Sequence, residues 1–133
     1  MKLIKKLPPE FVDVRGEITK LLDDGKTTLR SVLLISSKTG AIRANHYHKT
    51  DSHHVYLVSG RMEYTEYPVG GRPEGAEKVI VEAGDLVYTP PMAIHVMRFL
   101  EDSVFLALAT NSRHQDAYEA DTVRVQPKGD PGR

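Results

Sequence analysis

Four of the six histidines in this chain lie between positions 46 and 54: His46, His48, His53 and His54. Imidazole nitrogens bind transition metals, and an ordinary pKa of about 6.5 also suits histidine to proton transfer near neutral pH. The chain has no cysteine, so a transition-metal site would need nitrogen or oxygen ligands. The cluster therefore has three interpretations: metal ligands, proton-transfer groups or a solvated hairpin end.

Alternation along a strand divides these histidines between two faces. Residues two positions apart project from the same face, so His46 and His48 point together. Residues 49–52, Lys-Thr-Asp-Ser, predict a turn, after which the chain returns as a strand through His53 and His54. Antiparallel pairing across this turn would bring one of these two adjacent histidines to the His46 and His48 face. Periodicity alone does not fix which one.

The second half of the chain supplies a further histidine. The stretch GDLVYTPPMAIHVMRF, residues 84–99, predicts a Gly-Asp turn, a strand, a Pro-Pro break and a second strand that starts at His95. Proline is disfavoured inside a central strand, so Pro90-Pro91 indicates a bend that re-aims the chain. Two or three imidazoles that converge inside a β-barrel would form a nitrogen-rich pocket suited to Zn, Fe, Ni, Cu or Mn.

The elements that must position these side chains are strands. Short runs of β-branched, aromatic and aliphatic residues are separated by turn residues, and they cover 31–37, 54–60, 61–67, 78–84, 86–90, 95–100 and 104–110. This pattern predicts an all-β antiparallel sandwich or barrel. The strongest helical candidate, residues 18–25, is equally consistent with a strand that ends in an Asp-Gly turn. Arg15-Gly16 predicts a β-turn between two N-terminal strands.

Composition limits the function classes. The 133 residues carry 18 Lys and Arg against 18 Asp and Glu, with no basic stripe, which argues against nucleic acid and membranes and favours a small-molecule substrate. No segment has the apolar length of a signal peptide or a membrane span, so we predict a cytoplasmic protein. We expect one domain over residues 1–124 and a disordered tail over 125–133. Apolar residues on alternating faces of 31–37 and 104–110 predict a homodimer, with a monomer in which those strands are covered as the alternative.

Two motifs resemble those of the cupin superfamily. The spacing Gly40-x5-His46-x-His48-x4-His53-x6-Gly60 matches the first cupin motif, and Gly84-x5-Pro90-x4-His95 matches much of the second. The resemblance implies a single-domain double-stranded β-helix, the jelly-roll or cupin barrel, whose two motifs bind one metal ion. By position, His46, His48 and His95 match the histidine ligands of the family, and His53 stands where a glutamate is usual.

Histidine in place of the usual glutamate at position 53 affects which metal the site would favour. Four neutral imidazoles favour one divalent transition metal, Zn, Fe, Ni or Mn, over Mg or Ca. Alternatively, His53 is not a ligand and holds a proton. In both cases alternation places His54 on the outward face, opposite His53.

Shorter stretches resemble the sugar-nucleotide epimerases and ketoisomerases among the cupins. These are DVRGEI (13–18), RANHYHK (43–49, with Ala44 in place of glycine), 86–110, and Tyr118 with Asp121. The resemblance implies a histidine general base, here His46 or His48, and an anion contact, here Arg43. By alternation Arg43 points away from the pocket unless a bulge near Asn45 re-aims it. Glu63 is a candidate acid if it faces the barrel interior.

Three functions remain open from the sequence. The first is a metal-binding enzyme that isomerises or epimerises a small keto or sugar substrate, including a sugar nucleotide. The second is an oxidoreductase, a dioxygenase whose Fe or Ni is held by four histidines. The third is a small-molecule-binding protein without catalysis.

Overall fold

The computed structural model describes residues 2–125, and residues 126–133 of the predicted tail lie outside this range. Two five-stranded antiparallel sheets make up most of it. In spatial order the first sheet contains β1 (Lys2–Ile4), β9 (Leu86–Thr89), β6 (His53–Ser59), β11 (Ser103–Ala109) and β4 (Ser31–Ser37). The second contains β12 (Thr122–Arg124), β5 (Ile42–His48), β10 (Ala93–Phe99), β7 (Arg61–Pro68) and β8 (Glu77–Glu82).

Three short elements complete the described chain. A separate hairpin pairs β2 (Phe11–Asp13) with β3 (Gly16–Ile18), as the predicted Arg15-Gly16 turn requires. A 3-10 turn spans Pro73–Gly75, and the helix α1 spans Gln115–Asp121. Residues 18–25 form no helix, and the backbone amides of Lys26 and Thr27 donate to Asp24 Oδ1 in the expected Asp-Gly turn. Within residues 2–125, no helix is long and apolar enough to cross a membrane.

The two sheets bury one apolar core, because alternate residues of their strands face each other. The core unites side chains of both sheets: Ala44, Val55, Leu57, Met62, Tyr64, Val81, Val87, Met97, Phe99 and Phe105. Phe99 of β10 and Phe105 of β11 stack with ring centroids 5.7 Å apart. Fully burying each such aliphatic or aromatic side chain contributes roughly 1.5–3 kcal/mol. The all-β jelly-roll prediction is confirmed.

Gly60 sets the tight turn from the first sheet into the second. It follows β6, precedes β7 and has a φ of +95°, in the left-handed region that favours glycine. A Cβ at this position would lie 2.1 Å from Ser103 Oγ and 2.6 Å from the Asp102 carbonyl oxygen. Only glycine therefore lets β7 start at this point.

One predicted pairing is wrong. β5 pairs with β10 and β12, whereas β6 pairs with β9 and β11, so the two histidine strands belong to different sheets. Residues 49–52 carry the chain from one sheet to the other and do not close a hairpin. His53 therefore approaches His46 and His48 across the interior of the sandwich. Alternation predicted the faces correctly, but it contains no information about which strand is the neighbour.

Candidate functional site

Four histidines from three strands meet in the interior of the sandwich. His46 and His48 lie on β5, His53 starts β6 and His95 lies on β10, and all four side chains are buried. Pro90-Pro91 lies between β9 and β10, where a bend was predicted. The ring centroid of His46 lies 4.6 Å from that of His48 and 4.8 Å from that of His95. His53 lies 5.1 Å from His95 and 5.8 Å from His48, ring to ring.

Hydrogen bonds fix the tautomers of two of these rings. Nδ1 of His95 lies 3.0 Å from the carbonyl oxygen of Ala93, which can only accept, so Nδ1 carries the proton. Thr122 Oγ1 donates its single proton to the Tyr118 carbonyl at 2.7 Å, so it accepts from His48 Nδ1 at 3.2 Å. In the neutral form, both His48 and His95 therefore keep a lone pair on Nε2.

Burial keeps the four imidazoles neutral. It is the main cause that lowers the pKa of His95 to about 4, and it also lowers the pKa of His53 well below the ordinary value, with His95 and His48 adding to the effect. The pKa of His46 is lowered by burial and then by the three other histidines. Burial lowers the pKa of His48 as well, but here nearby carboxylates act in the opposite direction.

His48 differs from its neighbours through these carboxylates. Asp51 and Asp121 both raise its pKa against the effect of burial, and Asp121 Oδ2 lies 3.6 Å from His48 Nδ1. The carboxylate of Asp121 is itself held by the backbone amide and hydroxyl of Thr50, each at 2.8 Å from Oδ1. Of the four, His48 is thus the ring that two carboxylates support as a base.

The nitrogen atoms are close enough together for a metal site. His46, His48 and His95 each offer one nitrogen within 4.8 Å of the others, and a second trio joins His48, Asp51 and His53. Nδ1 of His46 is buried and has no hydrogen-bond partner within residues 2–125. Such an unsatisfied buried atom costs about 1–3 kcal/mol unless a bound group satisfies it. Neutral imidazoles with available lone pairs fit a divalent transition metal.

The histidines form the polar end of one cavity of about 500 Å³, part of which is open to solvent. Asp51, Arg113 and Tyr118 also line this end. The remaining walls are apolar: Leu33, Ile35, Ala44, Val55, Met97, Phe105, Ala107 and Ala109. The cavity is therefore amphipathic, with all its ionisable groups at one end.

Arg43 does not line this cavity, although the strand has a bulge near Asn45, the feature that was needed to re-aim its side chain. Ala44 and Asn45 have φ values of +68° and +59°, and the pairing of β5 with β10 shifts between His95 and Val96. Nevertheless, Arg43 Nε donates to Ser37 Oγ at 2.7 Å, and the side chain lines a separate cleft with Lys38 and Asp102. The left-handed φ of Ala44 explains why glycine suits this position in the resembling motif.

Glu63 lies on the outer face of β7, so it does not meet the condition on which it was a candidate acid, and the structure does not support that role. It pairs in register with Arg98, whose Nε lies 3.5 Å from Glu63 Oε1. The carboxylate that turns inward on β7 is Glu66, which the sequence reasoning missed. Glu66 accepts a hydrogen bond from the Tyr64 hydroxyl at 2.7 Å and lies opposite His95 in register. His54 faces outward beside Tyr88, as predicted.

Sequence reasoning also missed three residues of the site. Asp51 and Arg113 line the polar end of the cavity, and Thr122 holds the His48 ring from outside it. Asp51 lies inside the predicted turn. Its position between His48 and His53 in the sequence was the one feature from which its role could have been inferred. Arg113 and Thr122 flank a helix of seven residues that carries little periodicity. No pattern within the sequence pairs Thr122 with a histidine 74 positions earlier.

The fold and the site define a class: an antiparallel β-sandwich with a histidine-lined cavity between its sheets. Residues 33–110, more than half of the chain, match the family model described as Cupin domain, and the chain belongs to the cupin family. Sequence comparison with curated proteins gives no match.

Solved structures share the fold at low sequence identity. A mutant 3,4-ketoisomerase QdtA from Thermoanaerobacterium thermosaccharolyticum, in complex with TDP-4-keto-6-deoxyglucose, is 19% identical with a TM-score of 0.71, over 92% of this chain and 86% of that one. A 3,4-ketoisomerase from Helicobacter canadensis is 19% identical with a TM-score of 0.73, over 92% and 89%. The dTDP-4-dehydrorhamnose 3,5-epimerase from Sulfolobus tokodaii is 16% identical with a TM-score of 0.69, over 88% and 73%.

Proposed function

We propose that this chain is an enzyme that isomerises or epimerises a keto sugar, with a nucleoside diphosphate sugar as the substrate class. The observation that carries the proposal is His48. Its ring is buried in the cavity wall, its Nδ1 proton is held by Thr122 and faced by Asp121, and its Nε2 keeps a lone pair. This arrangement is suited to a general base.

The chemistry needs only proton transfer. His48 Nε2 removes a proton from the carbon next to the carbonyl group, and the electron pair of the broken C–H bond moves onto the carbonyl oxygen. The imidazolium that forms is stabilised by Asp121. Protonation of the same carbon by water from the opposite face, with loss of the His48 proton to solvent, gives the epimer. Return of the proton to the former carbonyl carbon, with transfer of the hydroxyl proton between the two oxygens, gives the isomeric ketone. No oxidant or reductant is consumed.

Similarity to enzymes of this chemistry supports the substrate class. The structures that share the fold include sugar 3,4-ketoisomerases and a 3,5-epimerase, and one of them holds TDP-4-keto-6-deoxyglucose. Their low identity establishes the fold, and the choice of a sugar nucleotide for this chain is part of the proposal.

A divalent transition metal would use the same histidines in a second way, as the alternative to His48 as a free base. His46, His48 and His95 would hold it, since their nitrogens form the compact trio and His46 Nδ1 is otherwise unsatisfied. Bound there, a metal would supply a Lewis acid for a carbonyl oxygen. Such a metal would occupy the Nε2 lone pair of His48, so His48 would be a ligand and not the base. His53, which lies outside this trio, would then be the neutral imidazole left for proton transfer.

A second candidate is a dioxygenase, which the presence of four buried imidazoles favours over an ordinary acid–base site. Oxygen consumption separates the two functions, because proton transfer uses no oxygen.

The predicted homodimer has a candidate surface on the first sheet. β4 is the last strand of that sheet, and its outward residues Val32 and Leu34 are 60% and 73% exposed. Leu34 lies in register with Leu106 of β11, so the apolar surface continues across two strands. Location in the cytoplasm and the domain limits at residues 1–124 stay predictions.

The direct test is conversion of TDP-4-keto-6-deoxyglucose, followed by chromatography and NMR of the product, with and without added metal. A new isomer or epimer that depends on the enzyme supports the proposal. Stoichiometric oxygen uptake with cleavage or oxidation of the substrate would support the dioxygenase. If the enzyme catalyses neither reaction with this or related keto sugars, the proposed function is wrong.

A further inference from the structure

Arg113 is the one cationic side chain that lines the histidine cavity within residues 2–125. It lies in the segment between β11 and α1, and its guanidinium carbon is 3.9 Å from the centroid of the Tyr118 ring. Tyr118 is 8% exposed, and its ring centroid lies 5.6 Å from that of His48. A buried aromatic ring therefore holds this arginine beside the candidate base.

The stacking leaves the hydrogen-bonding edge of Arg113 available. A guanidinium over an aromatic face is attracted through its plane, while its five N–H groups lie in that plane and point outward. Within residues 2–125, the Arg113 side chain makes no hydrogen bond or ion pair with the protein. Arg124, in contrast, is paired through two nitrogens with Glu119 at 2.9 and 3.0 Å. A planar fork of donors with no protein partner is suited to bidentate binding of phosphate or carboxylate.

The position of Arg113 along the cavity indicates how such a ligand would lie. Arg113 follows β11 by four residues, and His53 lies opposite Ala109 at the end of that strand. Further along β11, Ala107 and Phe105 face Val55 and Leu57 in register, in the apolar part of the sandwich. Arg113, the histidines and the apolar walls thus follow one another from the end of the sandwich inward.

We infer that Arg113 is the anion-binding residue of this cavity, and that it holds the oxyanion of an organic ligand whose uncharged end points inward past the histidines. The choice of a nucleoside diphosphate as that oxyanion rests on the proposed function, whereas a carboxylate of a small 2-oxo acid has the same chemistry. Arg113 thereby takes the role that the resemblance assigned to Arg43. It also sets the direction in which the substrate enters.

The test compares ligand affinities of three variants by isothermal titration calorimetry, with TDP and 2-oxoisovalerate as probes and thymidine as the uncharged reference. R113Q removes the charge, R113K keeps the charge without the planar fork, and R43Q is the matched control in the separate cleft. We expect R113Q to weaken binding of the preferred anion at least tenfold and R113K to weaken it less. R43Q is expected to match the wild type, and thermal melts check that each variant is folded.

The outcomes separate this inference from the proposed function. Binding of TDP that depends on Arg113 supports both. Binding of 2-oxoisovalerate alone, again dependent on Arg113, supports the inference and contradicts the nucleotide substrate. TDP binding that R113Q leaves unchanged overturns the role of Arg113 and leaves the proposed function standing. A wild-type protein that binds neither probe overturns the inference and the nucleotide substrate together.

Discussion

Nδ1 of His48 lies 3.2 Å from the hydroxyl of Thr122, and that hydroxyl donates in turn to the Tyr118 carbonyl at 2.7 Å. The chain of bonds is directional, because the one proton of Thr122 is already used. It fixes the His48 tautomer from outside the cavity, through a strand, β12, that pairs with β5. An imidazole whose tautomer is fixed in this way presents its Nε2 lone pair without reorganisation.

The variant T122V tests this relationship. Valine removes the acceptor for the His48 Nδ1 proton with little change in shape, so we expect kcat to fall about 10–100-fold, the usual effect of an outer-shell partner. Stability should fall by about 1 kcal/mol for the lost hydrogen bonds. Because Thr122 acts through His48, the pH–rate profile should shift as well.

The control for T122V is T39V. Thr39 donates to Asp102 Oδ1 at 2.8 Å, beside the separate Arg43 cleft. Loss of this hydrogen bond in T39V should leave kcat and the pH–rate profile unchanged. Equal kinetic effects of the two variants would show that Thr122 has only a structural role.

Metal content tests the proposed trio. If the trio that includes His48 holds a metal, untagged protein should contain close to one Zn, Fe, Ni or Mn per chain by elemental analysis, and the chelated protein should gain thermal stability when that metal is restored. H46N and H95N should lose this binding, and H54N, altered on the outer face, should retain it. Protein that contains no metal and shows no shift with any of the four ions would contradict the metal site.

The lowered histidine pKa values predict how stability depends on pH. In the unfolded chain each histidine binds a proton near its ordinary pKa of about 6.5, whereas folded His95 does so only near a pKa of about 4. Between these values the unfolded state binds more protons, so the free energy of unfolding falls as the pH falls. The slope is about 1.4 kcal/mol per pH unit for each histidine that stays neutral in the fold.

Urea denaturation of chelated protein at several pH values between 4.5 and 7.5 measures this slope. Replacement of His95 in H95Q should reduce it, because one of the histidines that stay neutral in the fold is removed. A free energy of unfolding that is constant over this range would show that the histidines titrate in the folded protein as they do in the unfolded chain.

The sequence predicted the strands well because alternation is a local signal. The inward set His46, His48 and His53 and the outward His54 all follow from period two and the resembling motif. Pairing is not local, and the antiparallel hairpin of β5 and β6 was wrong because nothing in period two distinguishes a turn from a crossover between sheets. The same limit applies to Glu63, whose neighbour Arg98 is 35 residues away on β10.

Residues that join the cavity from irregular segments were the least predictable. Arg43 carried a motif resemblance but hydrogen-bonds Ser37, whereas Arg113 had no motif and lines the cavity. The bulge at Asn45 was identified as necessary to re-aim Arg43, yet its presence did not decide where the long side chain ends. Tertiary contacts of flexible side chains decide such positions, and they leave no periodic signal.

The exposed face of β4 predicts the oligomeric state. If this face is the dimer interface, a charge placed on it should oppose association, because the interface would bury an unpaired ammonium group. L34K and V32K should therefore shift the protein from dimer to monomer in analytical ultracentrifugation. Val69, 38% exposed in the turn after β7, provides the control V69K, which should stay dimeric. A monomeric wild-type protein would contradict the homodimer.

The central claim, proton abstraction by His48 next to a carbonyl group, is tested most directly by exchange with solvent. TDP-4-keto-6-deoxyglucose is incubated with chelated, metal-free enzyme in D2O, and deuterium at the carbons next to the keto group is followed by NMR. The account predicts incorporation by the wild type, unchanged incorporation by H54N, and a rate about 10²–10⁴-fold lower for H48N. Absence of wild-type exchange, or exchange by H48N at the wild-type rate, would contradict it.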